Sequence, residues 1–184
     1  MQFTLYYRGP LKSKAGSEEK HSLRKHFHGQ LKELWNQLPL VKFHKLIDSQ
    51  YEDQSLYIIK SIDGFNFAPL VSEKLSLIAE LDITLLRPEP PGSIILKSGD
   101  IDNRLKTLLD GLKVPNPGAL PPGAQPASDE HPFFCLLEDD SLITRIGVTA
   151  DRLLEADISQ NDAVIQIHVT TKHVEVYAGT VGLG

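Results

Sequence analysis

Among 184 residues there is one cysteine, Cys135, so no internal disulfide can form. With no reactive motif around it, Cys135 reads as a small buried hydrophobe rather than a nucleophile. Long apolar runs are also missing. No window approaches the roughly 18 uninterrupted apolar residues of a membrane span, and the N-terminal MQFTLYYRGPLKSK has no signal-peptide core. No membrane partner is therefore expected, and the cytoplasm is the expected compartment. Basic residues are in the minority, 19 Lys+Arg against 24 Asp+Glu, giving a net charge of −5. That balance argues mildly against a nucleic-acid partner. Its distribution argues the other way: residues 1–50 hold nine basic and four acidic side chains, whereas 51–184 hold ten and twenty. A basic N-terminal quarter could meet phosphates while an acidic remainder holds metal ions, or both could be solvated faces.

What is present is the composition of a soluble domain, 41% hydrophobic and 23% charged. Residues 1–184 read as a single α+β domain, a mixed or antiparallel β-sheet packed against two main helices. Gln2–Tyr7 predicts a strand stopped by Arg8-Gly-Pro. Ser17 predicts a helix N-cap with Glu18 and Glu19 favoured by the dipole. Leu23, Phe27, Leu31, Leu34, Trp35 and Leu38 continue that helix at 3.6-residue spacing. Its outward face would carry Lys20, His21, Arg24, Lys25, His28 and Lys32, a stripe of candidate phosphate contacts. Leu56–Ile62 and Phe65–Leu70 flank Asp63-Gly64, the signal of a type I′ hairpin turn. Ser76–Leu86 alternates and predicts a long strand. Residues 114–132 hold half of the twelve prolines and predict a loop. Phe133–Leu137, Leu142–Val148 and Ala163–Val174 predict strands, the last two paired with each other. Leu153–Ile158 is ambiguous.

The stretch SGDIDNRLKTLLD, residues 98–110, sets two carboxylates and an amide ahead of a leucine-rich helix. Ile101, Leu105, Leu108, Leu109 and Leu112 share an arc of about 100° and face the core. Asp100 takes the N-cap position and Asp102 the first turn, both at the positive helix end. Asn103, Lys106 and Asp110 lie on the polar side. A second acidic group, Glu138-Asp139-Asp140, follows an apolar run. Brought beside the helix start, it would complete three or four hard oxygen ligands, a set suited to Mg²⁺ or Mn²⁺. Zinc is excluded by one cysteine and seven histidines without zinc-like spacing. An EF-hand is excluded by Arg104 and Lys106 at ligand positions of the loop. The same acids read equally as a capped helix and an ordinary polar turn.

The run Asp100-Ile-Asp102-Asn103 with Lys106, followed by Leu137-Glu-Asp139-Asp140 leading into a strand, resembles RusA-type Holliday junction resolvases. The order of the strands around the motif, and Tyr7-Arg-Gly-Pro10 after the first strand, are similar too. The resemblance implies a RusA-like fold and a Mg²⁺-dependent endodeoxyribonuclease, with Mn²⁺ as substitute, that cuts branched DNA in recombination and repair. It implies a homodimer matching the two-fold junction. Asp100, Asp102 and Asp140 would be metal ligands, Asp139 would assist, and Lys106 would be the positive group near the scissile phosphate. Candidate DNA contacts are Lys20, Arg24, Lys25, Lys32, Lys97, Asn103 and Arg104. His131 and His168 are possible general bases. Two further readings are a non-catalytic binding or structural protein that keeps the fold, and a flap- or nick-directed nuclease.

Overall fold

A computed structural model describes residues 1–50, 54–89, 100–155, 159, 161–175 and 182–184, and all of Asp100 but its side chain. It is α+β, with two mixed sheets and, among the described residues, two α-helices. In chain order the elements are β1 (Gln2–Pro10), α1 (Ser17–Trp35), β2 (Lys60–Ile62), β3 (Phe65–Val71), β4 (Leu77–Arg87), α2 (Asp100–Leu112), β5 (Phe133–Leu137), β6 (Ile143–Arg152) and β7 (Asp162–His173), with short 3₁₀ turns between some of them. No described helix is long and apolar enough to cross a membrane.

The larger sheet runs β1-β7-β4-β6. β7 is antiparallel to both β1 and β4, and β6 is parallel to β4. Because partners directly opposite share a face, apolar rows cross the sheet. One joins Leu5, Ile167, Ile83 and Val148; the next joins Phe3, Val169, Leu81 and Ile146. The rows are buried at Leu5, Ile83, Ile167, Leu81 and Val169 but open at β6, where Ile146 is 40% and Val148 36% exposed. The expected pairing of β6 with β7 is therefore wrong. β4 lies between them, its backbone paired with β7 on one edge and β6 on the other, and the more polar β6 takes the outside of the sheet.

The second sheet, β2-β3-β5, explains why one sheet was not enough. Nearly every residue of β3 and β5 is buried, the pattern of parallel neighbours covered on both faces. Ala68, Leu70, Phe134 and Leu136 point into the main core shared with the larger sheet. Phe65, Phe67, Phe133 and Cys135 point the other way, into a smaller cluster closed by Val114 and Leu120. Those last two belong to the proline-rich segment, which has no helix or strand, as expected, yet acts as a packed lid. Asp63 and Gly64 both take positive φ, 49° and 83°, in the tight turn of the β2–β3 hairpin.

Other boundaries moved. β1 runs through Arg8-Gly-Pro10, because its pairing with β7 continues to Asp162. α1 starts after Gly16, whose N–H is taken by the Glu19 carboxylate at 2.9 Å, and ends at Trp35, leaving Leu38 69% exposed. α2 begins at Asp100 itself rather than after it. Of the ambiguous 153–158, residues 153–155 carry no regular structure and 156–158 lie outside the described residues. Helices α1 and α2 touch closely at Gly111, where an added Cβ would sit 2.8 Å from the Leu23 Cβ. Only glycine permits that approach without displacing a helix.

Candidate functional site

The proline-rich lid leaves and rejoins the body at one place. Lys113, just past the end of α2, bridges to Leu137 at the end of β5, and the Val114 N–H donates to the Leu137 carbonyl at 3.0 Å. This brings the C-terminal half of α2 beside the acidic turn that follows β5. Between them lies a cleft of about 290 Å³ lined by Lys20, Arg24, Lys106, Asp110, Lys113, Asn116 and Asp140, with Pro115 and Ala119. Four cationic side chains against two carboxylates leave it with an excess of positive charge, which suits an anionic ligand.

Each wall has a local cause. Arg24 is 4% exposed and acts as a tie: its Nε donates to the Lys113 carbonyl at 3.1 Å and Nη2 to the Asp110 carbonyl at 2.7 Å. These are carbonyls at the C-terminal end of α2, where helix geometry leaves acceptors unmet. Lys20 pairs with Asp110 at 2.8 Å. Asp139 caps the 3₁₀ turn Asp140–Leu142 by accepting the Ser141 N–H at 3.0 Å. Those hydrogen bonds to Ser141, with Lys113 adding a smaller attraction, hold the Asp139 carboxyl below its usual range. The Lys113 ammonium lies 2.9 Å from Asp140 Oδ2 and 3.9 Å from Asp139 Oδ2. Lys106 is exposed and has no ion pair among the described residues.

The expected site residues divide. Lys106 and Asp140 line the same cleft. Asp102 and Asn103 are exposed on the first turn of α2 and do not line it. The helical rise puts Asp102 about 6 Å from Lys106 along the axis. The side chain of Asp100 and all of Lys97 lie outside the described residues. His131 and His168 are exposed, and neither lines the cleft. Cys135 is buried, with its thiol pushed up to about 12 by desolvation, which fits its expected role as a hydrophobe.

The outward basic stripe on α1 is corrected. His21, Arg24 and His28 are 6%, 4% and 4% exposed, because the lid and β5 pack over that side of the helix. His28 Nδ1 accepts the Phe134 N–H at 2.8 Å. His21 lies against the rings of Phe65 and Phe133. Lys25 pairs with the buried Glu130 at 3.3 Å, and Lys32 donates to the Asp129 carbonyl at 3.0 Å. Arg104, 7% exposed, donates to the Leu11 carbonyl, so it too is an internal tie.

The chain matches no family model, no curated protein and no solved structure. The site therefore rests on its own geometry.

Whether the acids suit a divalent cation can be judged from their surroundings. The Asp139 and Asp140 side chains are 50% and 47% exposed, and the donors at hand are oxygens, the kind Mg²⁺ prefers. Among the described residues no three His, Cys, Asp or Glu side chains form a group that could hold a metal. Asp102, Asp139 and Asp140 are all described and form no such group, and the remaining expected ligand, Asp100, has its side chain outside the described residues.

Sequence reasoning missed Lys113 and did not give Asp110 a role. Asp110 was legible, one helical turn beyond Lys106. Lys113 had no local signal, because only the bridge to Leu137 sets it beside Asp139 and Asp140.

Proposed function

We propose that this chain is a metal-dependent endonuclease acting on branched DNA, a RusA-type Holliday junction resolvase in kind. The observation that supports this most is that Lys106 and Asp140, from the two halves of the motif, line one positively charged cleft despite the long lid between them. In this reading Asp100, Asp102 and Asp140 hold Mg²⁺ or Mn²⁺, and Asp139 assists. When bound, such an ion acidifies a water and polarises a phosphoryl oxygen. Lys106, which has no ion pair among the described residues, would set its ammonium against the charge that develops on the phosphate. Asn116 and Lys20, the latter held on Asp110, also line the cleft.

A two-fold dimer belongs to the same proposal. β6 is an edge strand, and its exposed Ile146 and Val148 continue buried apolar rows, so a second copy would cover them. Light scattering at micromolar concentration tests this, with twice the chain mass expected and a strict monomer counting against it.

The test of function is cleavage of four-way, flap and duplex DNA, with Mg²⁺ and with EDTA. Metal-dependent cutting of the four-way substrate is expected. Preference for flaps would assign the flap-directed reading, and binding without cutting would assign the non-catalytic one.

A further inference from the structure

Strand β1 is an edge of the larger sheet, paired with β7 on one side only. A sheet edge of this kind shows unpaired main-chain groups at every second residue. At Tyr6 side chains meet them. The Tyr6 N–H donates to Gln30 Oε1 at 2.9 Å, and Gln30 Nε2 donates back to the Tyr6 carbonyl at 2.7 Å, with His26 Nε2 on the same carbonyl at 2.9 Å. The Gln30 carboxamide thus does for Tyr6 what a peptide group of an adjacent strand would do. Gln2 and Thr4 share the orientation of Tyr6, because strand geometry repeats every two residues. Their main-chain N–H and C=O groups have no partner among the described residues. Between this free stretch and α1 lies a groove of about 480 Å³. Phe3, Leu5 and Leu34 give it apolar walls, and Glu33 is its one charged lining residue among those described. Glu33 is exposed and has no ion pair among them. Gly29 lines the groove as well. Glycine weakens a helix interior, and no close contact requires this one, since an added Cβ would meet nothing within 4 Å. Its missing side chain keeps the groove open.

We propose that the β1 edge and its groove form a docking site for an extended segment of a partner protein, which adds a strand beside residues 2–4. Each feature fixes one property of the occupant. The unmet ladder groups require an extended backbone with free N–H groups, the chemistry that Gln30 already supplies at Tyr6. The apolar walls take an aliphatic side chain opposite Phe3, since strand partners share a face. Glu33, a lone carboxylate, calls for Lys or Arg on that same face, two residues along. The site shares no lining residue with the cationic cleft, so it does not rest on the nuclease reading.

The probe is the capped peptide acetyl-Thr-Val-Thr-Ile-Thr-Lys-Thr-amide, whose aliphatic and lysine side chains share one face. Binding is followed by ¹H–¹⁵N NMR titration of the full chain. Exchange of the Thr4 amide with deuterated water should slow by at least about ten-fold at saturation, because a ladder hydrogen bond protects it. The same peptide N-methylated at its three central residues loses its ladder donors and should bind at least about ten-fold more weakly. Gly29→Leu fills the groove and should cost a similar factor, with a thermal midpoint unchanged or raised, because leucine favours a helix. Glu33→Lys should weaken binding by about two- to five-fold, and a peptide with glutamate in place of its lysine should recover it. No binding by wild type, equal binding of the methylated peptide, or wild-type affinity in a folded Gly29→Leu overturns the proposal. So does Thr4 protection that rises with protein concentration alone, since a second copy then fills the edge. Should Gly29→Leu fail to fold, the methylated peptide and the Glu33 charge swap decide.

Discussion

The two helices of this chain both carry conspicuous charge and use it in opposite ways. On α1 the basic and imidazole groups turn toward the protein: Arg24 onto the end of α2, Lys20 onto Asp110, Lys25 onto Glu130, Lys32 onto the lid, His21 and His28 against β5 and its neighbours. On the first turns of α2, Asp102, Asn103 and Lys106 are exposed, and their side chains have no hydrogen bond or ion pair among the described residues. Charge density alone would have picked α1 as the ligand-binding face. What distinguishes these three α2 residues is that, among the described residues, their side chains are open to solvent and to a ligand. In this molecule a cation's availability says more than its sign.

That contrast can be broken first at Arg24. Arg24→Met keeps much of the side-chain bulk but strips donors from the Asp110 and Lys113 carbonyls. A loss of about 2–4 kcal/mol in urea unfolding is expected. Lys25→Ala, whose own side chain is 45% exposed although Glu130 is buried, and Lys32→Ala should each lose less than Arg24→Met does, about 1 kcal/mol. Equal losses at all three positions would mean that α1 is not organised around one buried tie.

The second way is through pH. Burial, with smaller repulsion from Arg24 and Lys25, lowers His21 from 6.5 to about 4, and burial lowers His28 as well. Between about pH 6.5 and 4 the unfolded chain therefore binds more protons than the folded one. Stability is fully present above pH 6.5 and falls as pH drops through that window. His21→Leu should flatten the fall seen in urea midpoints between pH 7 and 4.5, while Lys106→Ala leaves its slope unchanged. An undiminished slope in His21→Leu would place the acid sensitivity elsewhere.

Much of this architecture could be read from the chain because it is local. The alternation of Leu77, Ala79, Leu81, Ile83 and Leu85, the Asp63-Gly64 turn and the leucine arc of α2 each specify an element within a few residues. Strand neighbours are a different matter. Nothing within Ile143–Arg152 says that it pairs with β4 rather than β7, since alternating strands of similar length fit either. The inward turn of α1 was hidden for a related reason. Prolines announce a loop but not the surface it covers, and it is Val114, Leu120 and Glu130 packing down that converts a basic stripe into internal ties. Of the site, Lys106 and Asp140 were legible as types in a pattern. Lys113 was not, because its role comes from one long-range bridge.

In the function proposed above, Asp102, exposed on the first turn of α2, serves chemistry rather than the helix. Asp102→Asn preserves size and suits a first helical turn, so the thermal midpoint should move by no more than about 2 °C. It removes a negative ligand from the inferred cation site and lessens repulsion of phosphates. In single-turnover assays with Mg²⁺, cleavage of a four-way junction should fall by at least about 100-fold, while gel-shift affinity for the same junction stays equal or tightens. Cleavage at the wild-type rate by a folded Asp102→Asn protein would contradict the account, and would return Asp102 to a role at the helix terminus alone.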